Sequence, residues 1–272
     1  MPLQPSFIYG TAWKKDATRD LVMTAVRTGF IALDTANQPK HYSEPEVGEA
    51  LKALAAEGIS RSSLLVQTKF TPLNGQDRRV PYDPQAALDA QVHQSFESSL
   101  EHLQTDYVDS YLLHGPYTYP GLGDEDWEVW HAIGEIYKSG RARMIGVSNV
   151  NAMQLAALVA QAEVKPMVVQ NRCFANRGWD RQVRDLCKTH GIMYQGFSLL
   201  TANPYVLRYP EVISIARRLH VYAEQVIFRF AMQVGMVPLT GTTNFQHMQD
   251  DLRVYDIELT AAEVSLIEGI EM

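Results

Sequence analysis

Short β-branched apolar runs alternate with stretches of helical period along the whole chain, and this alternation limits the fold more than any other feature. "SFIYG", "FIALDT", "LLVQTKF", "YVDSYLLH", "ARMIGVSN", "MVVQNRC", "IMYQGFS" and "GMVPLTG" read as eight strands. Between them run amphipathic patterns such as "DATRDLVMTAVRTG", "EPEVGEALKALAAEG" and "PQAALDAQVHQSFESSLEHL". Several patterns stop at a glycine, as in "CKTHG" and "AMQVG", where a helix end wants left-handed backbone. Strands apolar on both faces and joined by helices imply a parallel sheet. Eight such units, with no linker and no break in composition, predict an α/β fold: one (β/α)8 barrel of the TIM type over residues 1–272, with a short carboxy-terminal tail.

The bulk properties remove several function classes. A net charge of −7 disfavours a nucleic-acid or anionic-membrane surface, both of which need clustered Lys and Arg. No apolar run approaches the ~18 residues of a membrane span. The two cysteines, Cys173 and Cys187, form no CxxC and read as free thiols of a reducing compartment. The expectation is a soluble cytoplasmic protein, monomeric or weakly oligomeric, with no metal, no nucleic acid and no membrane partner.

In such a barrel, chemistry belongs on the residues that close each strand and open the following loop. Those residues are Asp34, Lys69, His114, Ser148 with Asn149, Gln170, and Phe197 with Ser198. Taken singly, each has an ordinary reading: a turn cap for Asp34, a rim lysine for Lys69, a satisfied core imidazole for His114. Together on one rim they form an acid, a cation and a proton carrier within reach of one another.

At this point the sequence resembles the aldo-keto reductases, in order and over essentially its whole length. "DTA", a following tyrosine and "EVGEAL" resemble the family's second-strand motif, and "VQTK" its third. "VDSYLLHGP" and "IGVSN" resemble the fourth and fifth, "VVQNRC" and "YQGFS" the sixth and seventh, and "PLTGTTNFQHM" the eighth. The resemblance implies reduction of aldehydes or ketones by hydride from a nicotinamide cofactor, with Asp34, Tyr42, Lys69 and His114 as the catalytic group. A free phenol, with a pKa near ~10, holds its proton at neutral pH and can act as an acid. A neighbouring ammonium such as Lys69 is expected to lower that pKa, with Asp34 pairing the lysine and His114 orienting the carbonyl oxygen.

The resemblance also implies a cofactor site without a Rossmann glycine fingerprint, which this chain lacks after its first strand. Gly10 and Thr11, at the end of the first strand, would line the cofactor; Ser148, Asn149 and Gln170 would bind the carboxamide and Phe197 would stack on the nicotinamide. Ser198, Leu200, Gly241, Thr242, Thr243, Asn244, His247, Asp250 and Asp251 would follow the pyrophosphate and adenosine. Gly241 and His247 stand where NADP-preferring relatives carry basic residues for the 2′-phosphate. NADP(H) is favoured by family weight, with NAD(H) as the alternative. Trp13, Tyr117 and Trp127 are candidate walls for a small carbonyl substrate.

One departure lies in "LDTANQPKHYSEPEVG". Tyr42 follows Asp34 by eight residues, and Pro39 stands about where relatives have the tyrosine. If Pro39 turns the chain, the surplus "NQPKH", including Lys40 and His41, bulges outward and Tyr42 stays at the rim. This departure and the missing basic clamp motivate a second reading, a nucleotide-binding redox-sensing or regulatory protein with little turnover. A Schiff-base enzyme using Lys69 is weaker, because Asp34 would keep the lysine charged.

Overall fold

The computed structural model describes residues 5–270. Eight parallel strands close into a barrel in chain order: β1 (Ile8–Gly10), β2 (Ala32–Asp34), β3 (Leu65–Phe70), β4 (Ser110–Leu113), β5 (Ile145–Ser148), β6 (Val168–Arg172), β7 (Met193–Phe197) and β8 (Met236–Thr240). The barrel shuts where β1 pairs with β8, Ile8 opposite Leu239 and Tyr9 opposite Thr240. Outside it lie α1 (Thr18–Thr28), α2 (Glu44–Ala56), α3 (Leu88–Leu103), α4 (Asp124–Lys138), α5 (Ala152–Gln161) and α6 (Arg181–His190). The ring is completed by α7 (Pro210–Leu219), α8 (Ala223–Gln233), α9 (Phe245–Leu252) and α10 (Ala261–Glu268). The (β/α)8 barrel expected from the alternation is the fold observed. Among the described residues no helix is long and apolar enough to cross a membrane.

The side-chain period of two divides each strand between two cores. Tyr9, Leu33, Val66, Tyr111 and Val147 point outward and join the helices in the larger apolar cluster. Ile8, Ala32, Leu65, Leu112 and Val168 point inward and fill the lower half of the barrel. Two residues further along several strands, the inward positions become polar: Asp34, Gln67, Gln170 and Gln195. An apolar floor under a polar layer thus sets the end at which ligands meet the barrel.

The helices follow their capping signals, with one shift. α5 starts at Asn151, whose side chain accepts from Gln154 N while Gln154 returns a bond to Asn151 N, a capping box. α3 starts only at Leu88, because Asp83 Oδ1 accepts from Gln85 N at 2.9 Å and holds "DPQA" in a turn. Gly48 in α2 is required by close approach, since a Cβ there would lie 2.0 Å from the His102 carbonyl oxygen.

Candidate active site

The segment between β2 and α2 folds into a pinned turn. His41 N and Tyr42 N both donate to Gln38 O at 3.0 Å, closing one helical turn with Pro39 at its first corner. Gln38 Nε2 donates to Gly75 O at 2.7 Å, and its Oε1 lies 3.3 Å from His41 Nδ1. Trp13 N donates to His41 O at 2.7 Å, and the two rings meet with centroids 3.9 Å apart. Just beyond the turn, the buried Glu44 accepts from Thr68 Oγ1 and lies 3.2 Å from His102 Nδ1. The surplus residues are therefore consumed in the turn, which is tied to its neighbours on both sides of Tyr42.

Under this turn Lys69 is fully buried. Its Nζ donates to Asp34 Oδ1 at 2.6 Å and to Thr35 O at 2.8 Å, and stands 5.3 Å from the centre of the Tyr42 ring. Burial pulls the Lys69 ammonium below its ordinary pKa, opposed by the charge and hydrogen bond of Asp34 and by the charge of Glu44. Burial, and then the negative charge of Asp34, push the Tyr42 phenol well above its usual range. The lowered phenol pKa expected from Lys69 does not arise, because the ammonium is already engaged by Asp34 and desolvation dominates. The Tyr42 hydroxyl hydrogen-bonds to none of the described residues.

His114 meets Tyr42 edge to face, with ring centroids 6.0 Å apart. Its Nδ1 lies 2.7 Å from Thr71 Oγ1. Burial first, then the charges of Lys69 and His41, hold its pKa well below the usual imidazole value, so the ring is neutral at neutral pH.

A cavity of about 770 Å³ opens over this group. Asp34, Tyr42 and His114 line it together with Trp13, Gly10, Ser148, Asn149, Gln170, Phe197, Ser198, Leu200, Gly241, Thr242 and His247. Lys69 lies beneath the wall, and Thr11 is buried behind it with Oγ1 donating to Asp34 O at 2.9 Å. Thr243, Asn244, Asp250 and Asp251 stand outside the wall. Asn244 caps α9 by accepting from Gln246 N at 2.8 Å and His247 N at 3.3 Å. Asp250 Oδ1 lies 3.1 Å from Gln246 Nε2, and burial pushes the Asp251 carboxyl up to about 7. Tyr117 faces a neighbouring cavity of about 390 Å³, and Trp127 lies beside Trp130 against the helical layer.

The cavity presents free acceptors where a carboxamide would need them. Asn149 Nδ2 donates to His114 O at 2.8 Å, and Gln170 Nε2 donates to Asp34 Oδ1 at 2.9 Å. The carbonyl oxygens of both side chains accept from none of the described residues, which leaves two acceptors for an amide NH₂. Trp13, Asn149 and Ser198 adopt positive φ of 65°, 56° and 57° at this rim, a strained backbone for non-glycine residues.

The profile of the Aldo/keto reductase family matches residues 7–272. The chain belongs to the aldo/keto reductase family. It is 31% identical over 249 residues to the "Glyoxal reductase" of Bacillus subtilis (strain 168), covering 92% of this chain and 82% of that protein. It is 29% identical over 281 residues to the "NADPH-dependent alpha-keto amide reductase" of Saccharomyces cerevisiae, covering 95% and 83%. The crystal structure of an aldo/keto reductase from Brucella melitensis shares the fold with a TM-score of 0.80 at 24% identity, over 97% of this chain and 94% of that one.

In this family member several wall residues escaped the sequence reading. Lys14 reaches across the barrel mouth from the β1–α1 loop and donates to Gly241 O. Arg172 stacks on Phe197, 5.5 Å from the ring centre. A lysine next to Trp13 and an arginine closing the sixth strand were visible as charges at strand ends, the position that selected the other candidates. Among the described residues no group of three or more His, Cys, Asp or Glu is set to hold a metal ion.

Proposed function

We propose that this protein reduces aldehydes or ketones to alcohols with a reduced nicotinamide cofactor, and that Tyr42 supplies the proton. The observation that carries this reading is the meeting of an unpartnered Tyr42 hydroxyl and a neutral His114 in one cavity, above the buried Lys69–Asp34 pair. Phe197, Ser148, Asn149 and Gln170 would hold the nicotinamide, which when bound would supply a hydride to the carbonyl carbon. Thr71 Oγ1, 2.7 Å from Nδ1, can donate there, and in that tautomer His114 carries its proton on Nε2, where it would donate to the carbonyl oxygen and orient it. Tyr42 then transfers its phenolic proton to that oxygen as negative charge develops there. The phenolate left behind faces the Lys69 ammonium, 5.3 Å from the ring centre and held by Asp34, which offsets part of the burial cost without bringing the phenol below its ordinary range. In the oxidative direction the same phenolate takes the alcohol proton.

NADP(H) is the favoured cofactor. Lys14 and His247 supply cationic or donor groups on the Gly241–Thr242 side, in place of a basic residue at 241. NAD(H) is the alternative, because that cluster lacks a bidentate arginine. The names of the relatives point to small dicarbonyls and α-keto amides as first substrates.

A second reading, a nucleotide-binding regulatory protein, is favoured by the eight-residue spacing from Asp34 to Tyr42 and by Gly241 in place of a basic clamp. Turnover distinguishes the two. Loss of NADPH or NADH absorbance with glyoxal, an α-keto amide and simple aldehydes supports the reductase. Nucleotide binding with no turnover of any carbonyl supports the regulator and removes the reductase.

A further inference from the structure

Three glutamines converge inside the barrel, directly beneath the cavity. Gln67 on β3, Gln170 on β6 and Gln195 on β7 are all buried. Gln67 Nε2 donates to Asp34 Oδ1 at 2.7 Å and to Gln195 Oε1 at 2.8 Å. Gln195 Nε2 donates back to Gln67 Oε1 at 3.0 Å. Gln170 Nε2 donates to Asp34 Oδ1 and to Gln195 Oε1, both at 2.9 Å. With Lys69 at 2.6 Å, Asp34 Oδ1 accepts from three side chains at once.

The chemistry of Asp34 fixes the direction of every bond in this chain. An ionised carboxylate only accepts, so Gln67 and Gln170 must each turn their NH₂ toward it. Gln67 then has one amide hydrogen and its carbonyl oxygen left, and Gln195 satisfies both by turning its own carboxamide in the one matching sense. Gln195 Oε1 takes the second hydrogen of Gln170 as well. Both amide hydrogens of Gln170 are thereby consumed below the cavity floor. Only its Oε1, which accepts from no described residue, remains for a ligand. Three buried carboxamides in a layer that apolar side chains could fill carry a desolvation cost; here five of their six amide hydrogens go to oxygen, and the sixth, on Gln195, faces the Met193 sulfur at 3.7 Å.

We infer that Gln67 and Gln195 are positioning residues of the reductase: Gln67 holds the Asp34 carboxylate and orients Gln195, and Gln195 locks Gln170 so that it presents an acceptor to the nicotinamide NH₂. The inference rests on the proposed function. It couples the group that holds Lys69 to the group that holds the cofactor ring, through side chains on opposite sides of the barrel.

The test separates the nicotinamide end of the cofactor from the rest. Affinities are measured for NADPH or NADH, whichever wild type binds tighter, and for the matching ADP-ribose (2′-phosphorylated for NADPH), which lacks the nicotinamide. Gln195→Met and Gln67→Met keep the side-chain length and remove the carboxamide. Each is expected to weaken the nicotinamide nucleotide about tenfold, the scale of one lost buried hydrogen bond, and to leave the ADP-ribose within about twofold. Their kcat falls while KM for the carbonyl is unchanged. A filler role would shift both ligands equally or neither, and either result overturns the inference.

Gln195→Glu adds a signature that packing alone does not give, and it serves if the methionine variants do not fold. Protonated in this buried layer, the new carboxyl donates to Gln67 Oε1 in place of the Nε2–H bond. The ratio of variant to wild-type nucleotide affinity is therefore expected near one at low pH and falling as pH rises. The same profile in both proteins overturns the inference. Wild type that binds neither nucleotide overturns the proposed function and this inference together, whereas binding with no loss in the variants overturns the inference alone.

Discussion

Lys69 Nζ lies 2.6 Å from Asp34 Oδ1 with both side chains sealed from bulk water. A buried ion pair adds little net stability, but removing one partner strands the other charge in a poorly solvated place. Lys69→Met leaves the Asp34 carboxylate with only Gln67 and Gln170. It is expected to lower unfolding free energy by about 3 kcal/mol in urea titrations and to abolish carbonyl reduction. Asp34→Asn, which leaves the lysine charged and unpaired, is expected to destabilise to a similar extent. A double variant, Lys69→Met with Asp34→Leu, should recover part of that stability and none of the activity.

The phenol of Tyr42 is held above its usual pKa by burial and by Asp34. A raised pKa keeps the acid form present through neutral and mildly alkaline pH. The kcat/KM for reduction should therefore show no alkaline fall below pH ~10, the ordinary phenol value. The oxidative rate, which needs the phenolate, should still be rising at that pH. A reductive limb that falls near neutrality would show another group acting as the acid.

Asp251 gives a stability signature of opposite sign to the usual carboxylate. Burial raises its folded pKa to about 7, above the ordinary carboxylate value of 3.8. Between those values the folded state holds a proton that the unfolded chain has released. Stability from this group is therefore full at low pH and lost as pH rises through about 7. Asp251→Asn removes the dependence. Its stability relative to wild type should grow by about 2 kcal/mol between pH ~5 and ~7.5, measured by denaturant titration.

The turn before Tyr42 depends on Gln38, which bonds Gly75 O at 2.7 Å and faces His41. Gln38→Ala should cost about 1 kcal/mol of stability and lower kcat more than it raises KM, because the Tyr42 ring loses its support. An unchanged kcat would show that Glu44 and Trp13 alone hold the tyrosine.

The barrel was legible because its strands are apolar on both faces, and that property is written in consecutive residues. The rim candidates were legible for the same reason: Asp34, His114, Ser148 and Gln170 each stand at or just past the end of an apolar run. The turn of Pro39 was also readable, since a proline corner is a local device. α7, α9 and α10 were not separated in the reading, because the connections after β7 and β8 hold more helices than the one-strand, one-helix alternation supplies. Gln67 and Gln195 were hidden differently. Each is one polar residue in an apolar strand, and they become a pair only when closure brings β3 opposite β7. Lys14 and Gly241 likewise meet only across the β1–β8 seam. The phenol pKa of Tyr42 was misjudged because charge pairing is visible in a motif and the depth of burial is not.

The most direct measurement is kcat for carbonyl reduction by Tyr42→Phe beside its affinity for NADPH and NADH. The substitution removes one hydroxyl that bonds to none of the described residues and leaves the ring against His114. Loss of kcat by a factor of about 10² or more, with nucleotide affinity within about twofold of wild type, is the expected result. Undiminished turnover in Tyr42→Phe would contradict the account.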